Sequence, residues 1–87
     1  MKFYAYILES QTSGRYYIGH SQDLIERLNR HNSGMVKATK NKGPWSLIYS
    51  EIFDNKLEAN QRELEIKSKK SMIYIKKLLE KVEKTVL

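Results

Sequence analysis

Aromatic and branched apolar residues dominate two short segments near the start of the chain, 2–9 and 15–20. Such segments, bounded by turn residues, are typical of β-strands. Between them, residues 10–14 have the composition of a turn, and Gly14 can adopt a positive φ. The pattern therefore predicts a hairpin over residues 2–20. Its first strand would alternate between the faces of a sheet, with Phe3, Ala5 and Ile7 on one side and Tyr4, Tyr6 and Leu8 on the other.

The next segments predict one helix, a basic loop and a third strand. The helix would begin at Asp23, with Glu26 at the spacing of a capping box, and end near His31, where Gly34 supplies the stop. Residues 35–43 form a loop with three lysines. Residues 45–53 again have the composition of a strand.

Two further helices complete the predicted order. Asp54 or Asn55 would cap a helix running to about Lys69, and Ser71 would cap a lysine-rich helix over about 71–84. The last helix carries apolar residues at helical spacing, namely Ile75, Leu78, Leu79 and Val82. The order ββαβαα predicts an α+β domain, with a small three-stranded antiparallel sheet flanked by helices. All 87 residues fit one domain.

Charge and cysteine content narrow the classes of function. The net charge of +6 favours polyanionic partners, with nucleic acid before anionic lipid. The absence of cysteine excludes disulfides and thiolate zinc sites, and it makes the cytoplasm the expected compartment. No run of about 18 apolar residues is present, so we expect no membrane span.

Three groups of polar residues lie where a packed core is expected. On the first helix, Arg27 and His31 are i,i+4 neighbours at the edge of the apolar stripe. They are either boundary residues of the core or a functional pair. On the second, Glu63 shares a partly apolar face with Ala59 and Ile66. A buried carboxylate needs a partner, which is either a salt bridge to Arg27, Arg62 or a lysine, or a metal ion.

The chain has six tyrosines, four of them in the first hairpin. Tyrosine is common on half-buried strand faces, so we expect structural roles for Tyr4, Tyr16, Tyr49 and Tyr74. Composition and periodicity leave the roles of Tyr6 and Tyr17 open.

Taken in order, these residues resemble the motifs of the GIY-YIG endonucleases. Tyr4-Ala5-Tyr6, followed after ten residues by Tyr17-Ile18-Gly19, is similar to the paired GIY and YIG elements, with Tyr4-Ala5 in place of Gly-Ile. Segment 24–31 resembles the helix that carries the family's arginine and histidine. Segment 58–63 resembles the one that carries its metal-binding glutamate. The resemblance covers about residues 2–70, is closest to small stand-alone bacterial members, and departs also at His20, directly after the glycine.

The resemblance implies a magnesium-dependent endonuclease of DNA repair or processing, with Mn²⁺ as a possible substitute. The implied catalytic residues are Tyr6, Tyr17, Arg27, His31 and Glu63. Glu63 would hold the metal, because Mg²⁺ needs few protein ligands. Arg27 would stabilise phosphate charge. Tyr6 would orient or deprotonate water, provided that cationic neighbours lower its pKa. Tyr17 would position water or phosphate, and His31 would relay a proton or contact phosphate.

Contacts to the DNA backbone are expected from basic side chains, which give salt-sensitive and sequence-independent affinity. The candidates are Arg30, Lys37, Lys40, Lys42 and Lys67. A protein partner that supplies targeting is a further expectation, and the chain would be a monomer or homodimer. Two alternatives stay open: a nucleic-acid-binding module without catalysis, and an interaction domain that uses its C-terminal helix.

Overall fold

The computed structural model describes residues 1–69 and 71–86, with side chains described as far as Glu80. It confirms the predicted α+β class and the order ββαβαα. The strands are β1 (Phe3–Ser10), β2 (Tyr16–Ser21) and β3 (Trp45–Phe53). The helices are α1 (Leu24–Asn32), α2 (Lys56–Lys69) and α3 (Met72–Val86). A single 3₁₀ turn, Lys37–Thr39, interrupts the loop before β3 in the described part of the chain.

The sheet has the order β2-β1-β3, and both pairs of strands are antiparallel. The central strand β1 is therefore covered on both edges, and its middle residues are buried. In the register of β1 and β2, Tyr6 lies opposite Gly19 and Ala5 lies opposite His20. This register places the two tyrosine motifs side by side. An irregularity between Ile7 and Leu8 shifts the pairing of β1 with β3.

Alternation along β1 divides the core between the two faces of the sheet, as predicted. On one face, Tyr6 and Leu8 pack with Trp45, and the α1 residues Leu24 and Leu28 cover them. On the other, Ile7 packs with residues of the later helices, namely Ile66, Ile75 and Leu78. Helix α1 therefore lies on the face of Tyr6, while α2 and α3 lie on the face of Ile7.

Polar caps begin all three helices. The Asp23 carboxylate accepts a hydrogen bond from the Glu26 backbone N–H at 3.0 Å, and Asn55 Oδ1 accepts from Glu58 at 2.9 Å. Ser71 accepts from the backbone of α3 at 3.3 Å. The prediction of a reciprocal capping box at α1 is wrong: the Glu26 carboxylate binds Arg30 at 2.7 Å, one helical turn further on.

The apolar stripe of α3 belongs to the core. Ile75 and Leu78 are buried, and Leu79 packs against them, whereas the side chain of Val82 lies outside the described residues. Arg62 of α2 binds the Glu51 carboxylate of β3 at 2.9 Å and the Tyr74 hydroxyl of α3 at 3.1 Å. These contacts favour core packing over a surface for a partner. None of the described helices has the length and apolar character needed to cross a bilayer.

Candidate active site

Tyr6 lies flat against the glycine of the second motif. Its side chain is 3% exposed, and a Cβ added to Gly19 would lie 2.6 Å from the Tyr6 hydroxyl oxygen. No such atomic contact is sterically possible, so the ring occupies space that only glycine leaves free. The glycine of Tyr17-Ile18-Gly19 is thus required by the close approach of a tyrosine from the neighbouring strand.

A directed chain of hydrogen bonds starts at the Tyr6 hydroxyl. The hydroxyl lies 3.0 Å from His31 Nε2, and His31 Nδ1 lies 2.8 Å from Thr39 Oγ1. Thr39 Oγ1 donates its only proton to the Val36 carbonyl at 3.3 Å. Thr39 must therefore accept from Nδ1–H, which leaves Nε2 of a neutral imidazole as an acceptor. In this arrangement Tyr6 donates its proton to His31.

Burial controls the acidity of both members of this pair. Burial lowers the pKa of His31, and the positive charge of Arg27 lowers it further, so the imidazole is neutral. Burial raises the pKa of Tyr6 far above its usual value. Electrostatic interactions with Tyr17 and with the negative charge of Glu63 add to this rise, and Arg27 opposes it. Arg27 lowers the pKa of Tyr6, as expected of a cationic neighbour, but desolvation outweighs it and the net shift is upward.

Tyr17 and Arg27 lie beside this pair. The Tyr17 and His31 rings are 4.7 Å apart, and Tyr17 also meets Trp45 edge-on at 6.5 Å. Arg27 Nε is buried and has no hydrogen-bond partner within the described residues. A buried N–H of this kind is rare unless a ligand completes it. Arg27 also lines a cavity of about 490 Å³, together with His20. The carboxylates of Asp23 and Glu26 and the ammonium of Lys56 line the same cavity, so the guanidinium reaches it beside groups of both charges.

Glu63 approaches from α2, at the edge strand β2. Its side chain is 12% exposed, and its two oxygens have different partners. Oε1 lies 2.5 Å from Nδ1 of His20, and Oε2 accepts from the Lys67 ammonium at 2.5 Å. Of the partners predicted for a salt bridge, the structure selects a lysine over Arg27 and Arg62. Within the described residues, no hydrogen bond or ion pair joins Glu63 to the other four candidates; its charge reaches Tyr6, where it adds to the rise in the pKa.

The chemistry of this carboxylate suits a divalent cation. Glu63 is mostly shielded from water and already holds a cationic group, the Lys67 ammonium. Within the described residues, no three acidic or histidine side chains gather into a metal cage. A metal at Glu63 would therefore keep most of its coordination positions for water and phosphate, as Mg²⁺ prefers.

The loop after α1 carries the lysines predicted to contact DNA, and buried contacts hold it against the sheet. We call Lys37, Lys40 and Lys42 the basic loop lysines; all three are exposed. The Asn32 side chain bridges the Trp45 backbone, accepting from N–H at 2.7 Å and donating to the carbonyl at 3.1 Å. The Trp45 indole N–H donates to the Thr39 carbonyl at 3.1 Å. The loop is thus anchored at the end of α1.

Three of the five predicted DNA contacts are engaged within the protein. Lys42 of the loop donates to the Ala38 carbonyl at 3.2 Å. Arg30 binds the Glu26 carboxylate at 2.7 Å, on the exposed side of α1. Lys67 lies at the candidate metal ligand rather than on a separate basic surface. The basic loop lysines remain the predicted contacts to the DNA backbone.

Sequence reasoning missed three residues of the site. His20 was noted only as a departure from the motif, although it contacts Glu63. Thr39 orients His31, and Asn32 anchors the loop. Alternation along β2 does place His20 on the face of Ile18, which packs with α2 and α3. For Thr39 and Asn32, neither spacing nor composition carries a signal.

The chain is similar to several known proteins. The GIY-YIG catalytic domain family matches residues 2–78. A UPF0213 protein of Staphylococcus saprophyticus is 43% identical over 68 residues, covering 77% of this chain and 82% of that protein. One of Streptococcus pneumoniae is 44% identical over 70 residues, covering 79% and 70%. The solution NMR structure of a UPF0213 protein from Bacillus halodurans has 34% identity and a TM-score of 0.57, covering 92% and 84%.

Proposed function

This chain belongs to the GIY-YIG catalytic domain family, and from that premise we propose that it is a metal-dependent endonuclease that hydrolyses DNA phosphodiester bonds. The observation that carries the proposal is the Tyr6–His31 hydrogen bond beside a buried, unpartnered guanidinium N–H of Arg27. A proton acceptor and an anion-binding group together are what hydrolysis of a phosphodiester requires.

The proton pathway follows the direction of the hydrogen bonds. As water attacks phosphorus, its proton passes to the Tyr6 hydroxyl oxygen, and the Tyr6 proton passes to Nε2 of His31. The new P–O bond forms as the bond to the leaving sugar oxygen breaks, and that oxygen takes a proton from solvent. The high pKa of Tyr6 makes its phenolate a strong base, so transfer to His31 must accompany the attack. Thr39 stabilises the imidazolium that results, since it accepts from Nδ1–H.

Two groups neutralise phosphate charge in this scheme. Arg27 binds the non-bridging oxygens with its planar guanidinium, which is always charged. Glu63 would hold a divalent ion, which would supply further neutralisation of negative charge at the phosphate. Tyr17, packed on His31, limits the rotation of the imidazole and lines the path of the water.

The basic loop lysines extend the contact along the DNA backbone. Because such contacts do not distinguish bases, we expect selection by DNA structure or by a protein partner. A role in DNA repair or processing in the cytoplasm is part of the proposal, as is action on DNA rather than RNA. A cleavage panel of nicked, branched, single-stranded and duplex substrates, made of DNA and of RNA, tests the choice of nucleic acid and of its structure.

The decisive experiment compares cleavage and binding in matched variants. With Mg²⁺ or Mn²⁺, wild type should cleave DNA, whereas Tyr6→Phe, Arg27→Ala and Glu63→Gln should lose roughly 100-fold or more of the rate, as for loss of one transition-state contact. Tyr16→Phe and Glu65→Gln are the controls, in the same hairpin and on the same helix. Binding of labelled DNA should survive Glu63→Gln. Binding without cleavage in wild type would instead show a non-catalytic module.

A further inference from the structure

The two oxygens of Glu63 have partners of unequal mobility. His20 lies on β2, opposite Ala5 of the central strand, so its backbone is fixed by the sheet. Its side chain is 25% exposed. Lys67 lies one turn beyond Glu63 on α2, and its side chain is 45% exposed. Like every lysine, it has a flexible aliphatic side chain. The contact to Oε1 is therefore built into the fold, whereas the contact to Oε2 can be released.

The two partners also differ in what they do to an incoming cation. A neutral His20 ring can donate a hydrogen bond from Nδ1, and in that form it holds Oε1 without neutralising the carboxylate's negative charge. Groups that hold a metal ligand in place in this way strengthen metal binding. The Lys67 ammonium neutralises the same carboxylate that a metal would use, so it must leave before an ion can bind at Oε2.

We propose that His20 is a positioning residue, which holds Glu63 so that Oε2 exchanges the Lys67 ammonium for a divalent ion. The inference rests on the proposed function only in taking Glu63 as the metal ligand. The proposal predicts that removing the two contacts changes metal affinity in opposite directions. Loss of the His20 donor weakens metal binding, whereas loss of the Lys67 charge strengthens it, although both residues contact the same side chain. A merely structural role for the two contacts gives losses in both.

The test is calorimetric titration of the DNA-free protein with Mn²⁺. His20→Asn keeps an amide N–H at the position of Nδ1 and should stay close to wild type. His20→Leu has similar bulk without a donor and should bind Mn²⁺ roughly 10- to 100-fold more weakly. Lys67→Met should bind roughly two- to fivefold more tightly, as expected for loss of one half-exposed ion pair. Lys77→Met, an exposed lysine on α3, is the control for net charge.

Three results would overturn the proposal: unchanged affinity in His20→Leu, weaker affinity in Lys67→Met, or no Mn²⁺ binding by wild type. Circular dichroism checks that each variant is folded. If His20→Leu does not fold, the tighter binding expected of Lys67→Met and the unchanged binding expected of Lys77→Met still test the exchange at Oε2. Cleavage assays run in parallel separate this inference from the proposed function. The predicted affinities without any cleavage would refute the nuclease alone, while cleavage with unchanged affinity in His20→Leu would refute the positioning role alone.

Discussion

Replacing Gly19 with alanine should disturb the candidate site more than any other substitution of one methyl group. The new Cβ would lie 2.6 Å from the Tyr6 hydroxyl oxygen and 2.7 Å from Cζ of the same ring. Overpacking a core in this way costs about 1–3 kcal/mol. Displacing the ring also breaks the buried bond to His31, at about 0.5–1.5 kcal/mol. Alanine recovers about 0.5–1 kcal/mol in a strand.

The net expectation is a loss of about 2 kcal/mol in the free energy of unfolding, with a fall in Tm of roughly 8–16 °C for a domain of this size. Urea denaturation measures the first quantity and thermal melting the second. The control is the same substitution in Tyr6→Leu, where no atom occupies the position of Cζ, so Gly19→Ala should be nearly neutral there. Equal costs in the two backgrounds would show that the Tyr6 ring is not what excludes a side chain at position 19.

Three other predictions follow from contacts of the site and the loop. Because the pKa of His31 is lowered in the folded protein, the unfolded chain takes up a proton at higher pH than the folded one. The free energy of unfolding should therefore fall by up to about 1.4 kcal/mol per pH unit below about 6.5. Urea denaturation from pH 7.5 to 5.5 measures this fall, and the free energy should depend less on pH in His31→Gln. Asn32→Ala removes both bonds to the Trp45 backbone and should cost about 1–3 kcal/mol of unfolding free energy, while the exposed Asn29→Ala stays within about 0.5 kcal/mol. Replacing each basic loop lysine with glutamine should reduce the slope of log affinity against log salt by about 0.9 on duplex DNA, and an unchanged slope would remove that lysine from the interface.

Local chemistry was sufficient to predict most of the fold. The boundaries of β3 follow directly from its composition, and the caps at Asp23, Asn55 and Ser71 begin their helices as predicted. The ends of the first two strands differ by one residue, since the last pair of a ladder depends on the partner strand. The 3₁₀ turn in the basic loop was not predicted, because tertiary contacts at Thr39 determine it.

The candidate site was predicted less completely, for reasons of distance and environment. His20 and Glu63 are separated by 43 residues, and no sequence pattern links a strand residue to one helix residue so far away. The rise in the pKa of Tyr6 depends on how deeply its ring is buried, which periodicity does not measure. In contrast, Arg27 and His31 were placed correctly on one helical face, because i,i+4 spacing is a local property.

Thr39 links the basic loop to His31. It lies between Lys37 and Lys40, on the segment expected to meet DNA, and its hydroxyl fixes which nitrogen of His31 carries the proton. If the segment shifts and withdraws that hydroxyl, the imidazole is free to change tautomer, and Nε2 becomes a donor that can no longer take a proton from Tyr6. Under the proposed function, the ability of His31 to accept a proton would therefore depend on the position of the basic loop, through one oxygen atom of Thr39.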